Sequence, residues 1–205
     1  HGLNTLEHQP AKVAAMEGNW ETQSNVPLLL FAIPDEAARE NRFEIGIPNG
    51  ASLILKHKAE GVVPGLNDFV AEDGTVLHPP VAPVFWSFRV MVGTGMAMLL
   101  ISWSALFFMR RGRGIEGLPK PFLWALVPMG LSGWVATLAG WYTTEIGRQP
   151  WLVTGVLDTK AAVGDVAPAL VASTLIAYLV VYAALLVAYL GTLVYLARRQ
   201  VGQDH

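Results

Sequence analysis

The 205 residues contain no cysteine. That absence excludes a disulfide framework, a thiolate iron–sulfur site and covalent haem attachment of the CxxCH kind, and thiols give no guide to redox compartment. Histidine is scarce, and His1, His8, His57, His78 and His205 all fall outside the long apolar runs. A four-helix cytochrome b with paired transmembrane histidines is therefore not supported by this stretch of chain. Basic charge is also short where nucleic acid would need it: residues 1–83 carry eleven acids against five bases, and the whole chain has a net charge of −2, so no nucleic-acid partner is expected. Neither a repeat with a period of roughly 20–50 residues nor a low-complexity tract is visible. The chain opens at His1, and its first residues do not read as a signal peptide, so the C-terminal part of a longer protein is expected.

What is plentiful is apolar surface, at 53% of residues, high for a soluble domain. Three runs, Val84–Met109, Phe122–Tyr142 and Ala167–Ala197, are each long enough to span a bilayer. The second and third hold no charged residue, and Pro128 with Gly130 and Gly133 predicts a kink in the second. The fold class expected is an all-α membrane protein: three transmembrane helices preceded by a large polar extracytoplasmic loop, as a fragment of a longer helical bundle. Residues 1–83 form the loop, 84–199 the three-helix region, and 200–205 a tail. Arg110, Arg111, Arg113 and Lys120 lie between the first two runs, and Arg198 and Arg199 follow the third. The positive-inside bias puts those ends in the cytoplasm, with the loop and residues 143–166 on the periplasmic side of a bacterial inner membrane. Within the loop, His8–Glu21 reads as a short amphipathic helix with Pro10 in its first turn, Asp35–Glu40 as a small helical pattern, and Ser52–Leu55 as a strand.

Ionisable groups at the edge of lipid are costly unless paired or used. In WYTTEIGRQPW, Glu145 lies four residues after Trp141 and three before Arg148, on one face if the helix continues that far. That edge suits a cofactor; an interfacial aromatic belt with a snorkelling arginine is the competing reading. Arg89 lies inside the first run and needs a partner, such as an anion. Met91, about 200° further around the helix, points away from it, with Gly93 and Gly95 leaving room for a flat body. Its thioether suits an axial haem ligand, although most membrane methionines only pack. Lys12 and Glu17 sit about 140° apart on their helix and could grip a ligand from two sides, or simply line a solvated surface.

Taken in order, HQPAKVAAMEGNWE, the polar loop, FWSFRVMVGTGM and EIGRQPW resemble the C-terminal half of subunit I of cytochrome bd-type quinol oxidases, from about Thr5 to Arg199. The opening HGLNTLEHQPAK and the short loop look closer to the branch called cyanide-insensitive oxidases. The resemblance implies that Lys12 and Glu17 bind quinol, Met91 ligates the low-spin haem b and Arg89 lies beside that haem. It implies that Glu145 ligates the high-spin haem b, that Trp141 packs among the haems, and that Arg148 belongs to the GRQPW signature and takes part in catalysis with Glu145 and Trp141. The third haem is implied to be d or a further haem b, with histidine ligands on earlier helices that this chain lacks. Quinol would be oxidised at the outer face and dioxygen reduced to water, in a complex with subunit II in the lipid bilayer. The rivals are a transporter or channel subunit with Arg89, Glu145 and Arg148 along an ion path, and a non-catalytic membrane scaffold.

Overall fold

The computed structural model describes residues 2–110 and 118–201. Arg111 and Arg113, which contribute to the orientation argument, and residues 202–205 of the expected tail lie outside the described residues. The chain divides into two compact units, His1–Ala162 and Val163–His205. The first holds α1 (Gly2–His8), α2 (Pro10–Glu17), the antiparallel pair β1 (Leu28–Asp35) and β2 (Glu40–Ile47), and α3 (Gly50–Lys56). It continues with α4 (Val81–Phe108), α5 (Lys120–Met129), α6 (Ser132–Ile146) and a small hairpin, β3 (Trp151–Val153) and β4 (Leu157–Asp158). The second unit is built on α7 (Pro168–Val201).

By length and composition α4 and Pro168–Leu196 of α7 can each cross a membrane, and α5 with α6 can make a third span although the two are bent by 42° at their junction. The expected kink is therefore a break. Pro128 offers no N–H, and the chain turns through i to i+3 bonds, Gly130 N–H to Val127 O at 3.2 Å and Leu131 N–H to Pro128 O at 3.0 Å.

Two expectations in the loop were wrong; the chain is mostly helical as expected, but two antiparallel strand pairs make it less than all-α. Asp35–Glu40 is the hairpin turn: Asp35 Oδ1 accepts the N–H groups of Ala37 and Ala38, both at 3.1 Å, and Arg39 sits at φ 55°. So short a helical pattern cannot offset the cost of nucleation, whereas an aspartate closing its own turn can end a strand pair. Ser52–Leu55 is part of helix α3; Asn49 at φ 58° turns the chain into it, and the Ser52 hydroxyl accepts the Val26 N–H at 2.9 Å. The helix expected over His8–Glu21 is the shorter α2, preceded by α1, and it ends before Gly18, whose φ of +69° suits the left-handed exit.

The polar loop is a folded layer. Leu6, Val13, Val26, Ala51, Leu55 and Val63 form one buried cluster. Ala14, Ala15, Trp20 and Leu66 form another with Val81 and Val84, which seats the layer on the first turns of α4. Burial of these side chains at about 25 cal/mol per Å2 holds the two together. Helix α4 begins three residues before the expected Val84, because Glu36 Oε1 accepts the N–H groups of Val81 at 2.8 Å and Ala82 at 3.4 Å. A carboxylate there meets two of the orphan donors at a helix start.

Candidate functional site

Helices α4 and α6 pack together, and the Ser87 and Thr143 hydroxyls share a hydrogen bond of 2.9 Å across the seam. Four residues along α4 and three back along α6, Met91 meets Gly140. A Cβ on Gly140 would come within 2.9 Å of Met91 Sδ, so the missing side chain is what admits the sulfur. Nothing lies within 4 Å of where Gly93 or Gly95 would carry a Cβ, which leaves open space along that side of α4.

Arg89 turns the other way, into the loop layer. Its guanidinium donates to Met16 O at 2.5 Å, to Leu29 O at 2.6 Å and to Phe85 O at 3.1 Å, and lies 3.3 Å from the centre of the Phe85 ring. The partner expected for it was an anion; the contacts made are carbonyls and an aromatic face, with Glu17 close enough to feel its charge. Glu17 is 6% exposed, and its Oε2 has no hydrogen-bond partner among the described residues. Burial pushes its carboxyl up to about 7, against the opposing pull of Arg89. It lines a cavity of about 320 Å3 with Asn19, Trp20, Leu29, Asn41 and Glu44.

Lys12 is also buried, at 8% exposed, and lies at the end of α6. Helix α6 stops at Ile146, before Arg148, so the expected continuous helical face ends early. The turn still brings Arg148 Nη2 to 3.3 Å from Glu145 Oε1. A Cβ on Gly147 would lie 3.0 Å from Lys12 Cγ, so the lysine stem runs against this glycine. Burial first and the charge of Arg148 next lower the Lys12 pKa, while Glu145 raises it. Lys12, Gly147, Arg148 and Trp151 line a cavity of about 200 Å3. Lys12 and Glu17 thus open on different cavities and are not on a solvated helix surface. Trp141 is 58% exposed on α6 and tilts against Tyr142, with ring centres 5.6 Å apart.

The model of the family described as cytochrome bd terminal oxidase subunit I matches residues 1–201. The chain belongs to that family. It is 33% identical over 208 residues to cytochrome bd ubiquinol oxidase subunit 1 of Bacillus subtilis (strain 168), covering 98% of this chain and 43% of that protein. It is 30% identical over 244 residues to cytochrome bd-II ubiquinol oxidase subunit 1 of Escherichia coli (strain K12), covering 88% of this chain and 47% of that protein. Among solved structures it resembles bd oxidase from Geobacillus thermodenitrificans with a TM-score of 0.78 and 31% identity, over 97% of this chain and 44% of that one. The chain therefore spans less than half the length of these relatives.

In this cytochrome bd family member, the residues expected to meet haem can be tested as donors. Among the described residues no three His, Asp or Glu side chains cluster to hold a metal ion; a haem, whose porphyrin itself supplies iron ligands, would ask only single donors of the chain. Glu145 qualifies: it is about half exposed, one oxygen faces Arg148, and the other takes no protein hydrogen bond among the described residues. The half-buried Met91 thioether qualifies as a soft donor, and Gly140 gives it its place. Reading the sequence missed Gly140, Gly147 and the carbonyls of Met16 and Leu29. The two glycines stand beside Trp141 and Arg148 in the signature segment and could have been noticed there; the carbonyls carry no sequence signal.

Proposed function

We propose that this chain is the C-terminal part of the haem-bearing subunit of a bacterial quinol:oxygen oxidoreductase, working with subunit II in the plasma membrane. Residues 1–83 and 143–166 lie on the periplasmic side, and the 110–120 connection and the C-terminus on the cytoplasmic side. Lys12 and Glu17 bind quinol, Glu17 as the acceptor of a quinol proton. Its buried, unpartnered oxygen and raised pKa support that role. Met91 would hold low-spin haem b, with Arg89 beside that haem and holding the loop close. Glu145 would hold high-spin haem b, with Arg148 as its cationic neighbour and Trp141 packed alongside; the third haem would be d or another b. When bound, the haems supply electron transfer and dioxygen reduction. The observation that carries this reading is the convergence of both loop charges, Lys12 and Glu17, on the α4–α6 pair that bears Met91 and Glu145. Family membership favours it over a channel or a scaffold.

The test is Glu145→Gln in the complete oxidase, which keeps shape and removes charge. Oxygen uptake with quinol should fall at least hundredfold and the high-spin haem b signal should change, while the low-spin signal persists. Uptake within a few-fold of the parent enzyme would return Glu145 to an interfacial role.

A further inference from the structure

The β1–β2 hairpin is two-faced. On one side Leu29 and Ala32 are buried with Phe85 of α4. On the same side Asn41 donates to Gly18 O and to Glu44, both at 2.8 Å, and accepts the Trp20 indole N–H at 3.0 Å, which closes the hairpin over the Glu17 cavity. The other side is apolar and, among the described residues, uncovered. Phe31 pairs with Ile45 across the strands, and Phe31, Ile33, Ile45 and Ile47 are 39%, 45%, 62% and 50% exposed. Phe43 is 77% exposed and held at φ 55°, a conformation that a bulky residue adopts only when its surroundings demand it.

The position of this face along α4 says what meets it. Helix α4 has 28 residues; at about 1.5 Å per residue it is roughly 42 Å long, the thickness of a bilayer with its headgroups. Its first turn and a half are then interfacial, and Trp86, about 7.5 Å in, stands at the edge of the hydrocarbon. Phe31 meets Trp86 edge to face, with ring centres 5.2 Å apart. Leu29, two residues away, is bonded through its carbonyl to Arg89. The apolar hairpin face therefore continues the flank of α4 formed by Trp86 and Val90, which are 37% and 44% exposed.

We infer that this face docks on the lipid bilayer, at the boundary of headgroups and acyl chains where α4 enters. The hairpin is a membrane-interface anchor, apolar side to lipid and polar side to the cavity. Its tip, where Arg42 pairs with Asp35 at 2.6 Å, sits among the headgroups. This goes beyond the oxidase assignment and depends on α4 as a membrane span.

The complete oxidase, without other reactive cysteines, is reconstituted in nanodiscs of phosphatidylethanolamine and phosphatidylglycerol. A nitroxide is attached at Phe43→Cys, Ile45→Cys or Ile33→Cys, with Glu40→Cys as the control at the tip. Power saturation without quinol then compares collisions with dissolved oxygen and with a water-soluble nickel chelate. Oxygen should dominate by several-fold at the three apolar positions, and nickel at Glu40. Nickel dominating at the apolar positions would mean that the face meets water. Immobile labels that neither reagent reaches would mean that the rest of the subunit, or another protein, covers it. Either result overturns the inference, and any one of the three labels suffices to read it if another variant fails to assemble.

Discussion

Lys12 and Glu17 stand five residues apart on one eight-residue helix, both buried, and their surroundings differ in kind. Lys12 faces a carboxylate and a guanidinium that are already paired with each other, so its charge joins a small network. Glu17 faces an arginine whose two terminal Nη groups donate to backbone carbonyls, while Arg89 Nε and Glu17 Oε2 are both buried without a hydrogen-bond partner among the described residues. A charge inside a network is held in place. A charge beside an occupied partner is left to titrate, which is the property a proton acceptor needs.

The largest way to break this contrast is Arg89→Met, which removes the bonds to Met16 O and Leu29 O. Two bonds from a charged donor, at about 1.5–3 kcal/mol each, put the loss at roughly 3 kcal/mol or more. In the complete oxidase, protease cleavage within residues 20–47 should speed up about hundredfold or more; an unchanged rate would mean that the loop is held elsewhere.

Glu17→Gln sharpens the contrast. The folded carboxyl titrates at about 7 against an ordinary 4.5, so between those values the folded state binds more protons and stability falls as pH rises. Above about pH 7 the whole cost is present, at most about 3 kcal/mol at roughly 1.36 kcal/mol per pH unit. The Gln variant should therefore show slower amide exchange over residues 12–20 than the parent at pH 8 and equal exchange at pH 4, while quinol oxidation drops. Equal exchange at both pH values would remove the titrating carboxylate from the account.

Gly147→Ala tests the networked end, since its Cβ would clash with the Thr143 carbonyl oxygen and also crowd the Lys12 stem. Overpacking of this kind costs about 1–3 kcal/mol, and adding Lys12→Ala should recover part of it; strict additivity in melting temperature would show that the two do not touch. The smallest effect on folding belongs to Met91→Leu, a near-isosteric change worth less than about 1.5 kcal/mol. Its spectrum should nonetheless lose the low-spin haem b, and a normal one would leave Met91 as a packing residue.

The long apolar helices were legible because helices of this kind announce themselves by composition: about twenty apolar residues need no tertiary partner to be helical in lipid. Opposite headings for Arg89 and Met91 were also legible, since helical periodicity alone separates positions two apart. The loop was not. Its hairpin carries exposed Ile and Phe on one side and buried Leu29 and Ala32 on the other, with register shifts at Leu29/Phe31 and Phe31/Ile33 that scramble the alternation a strand normally shows. Ser52–Leu55 has strand-like composition in a segment that the turn at Asn49 sends into a helix.

Sequence by itself determined the long apolar helices, a disruption near Pro128 and the set of charged residues that flank those helices, because each depends on neighbours in the chain. Only the tertiary structure decided that Lys12 belongs with Glu145 and Arg148, that Glu17 belongs with Arg89, and that Glu36 starts α4. These pairs are separated by 45 to 136 residues, as in Glu36 to Val81 and Lys12 to Arg148. No local preference brings them together; the loop layer does so by burying Val13, Trp20 and Leu66.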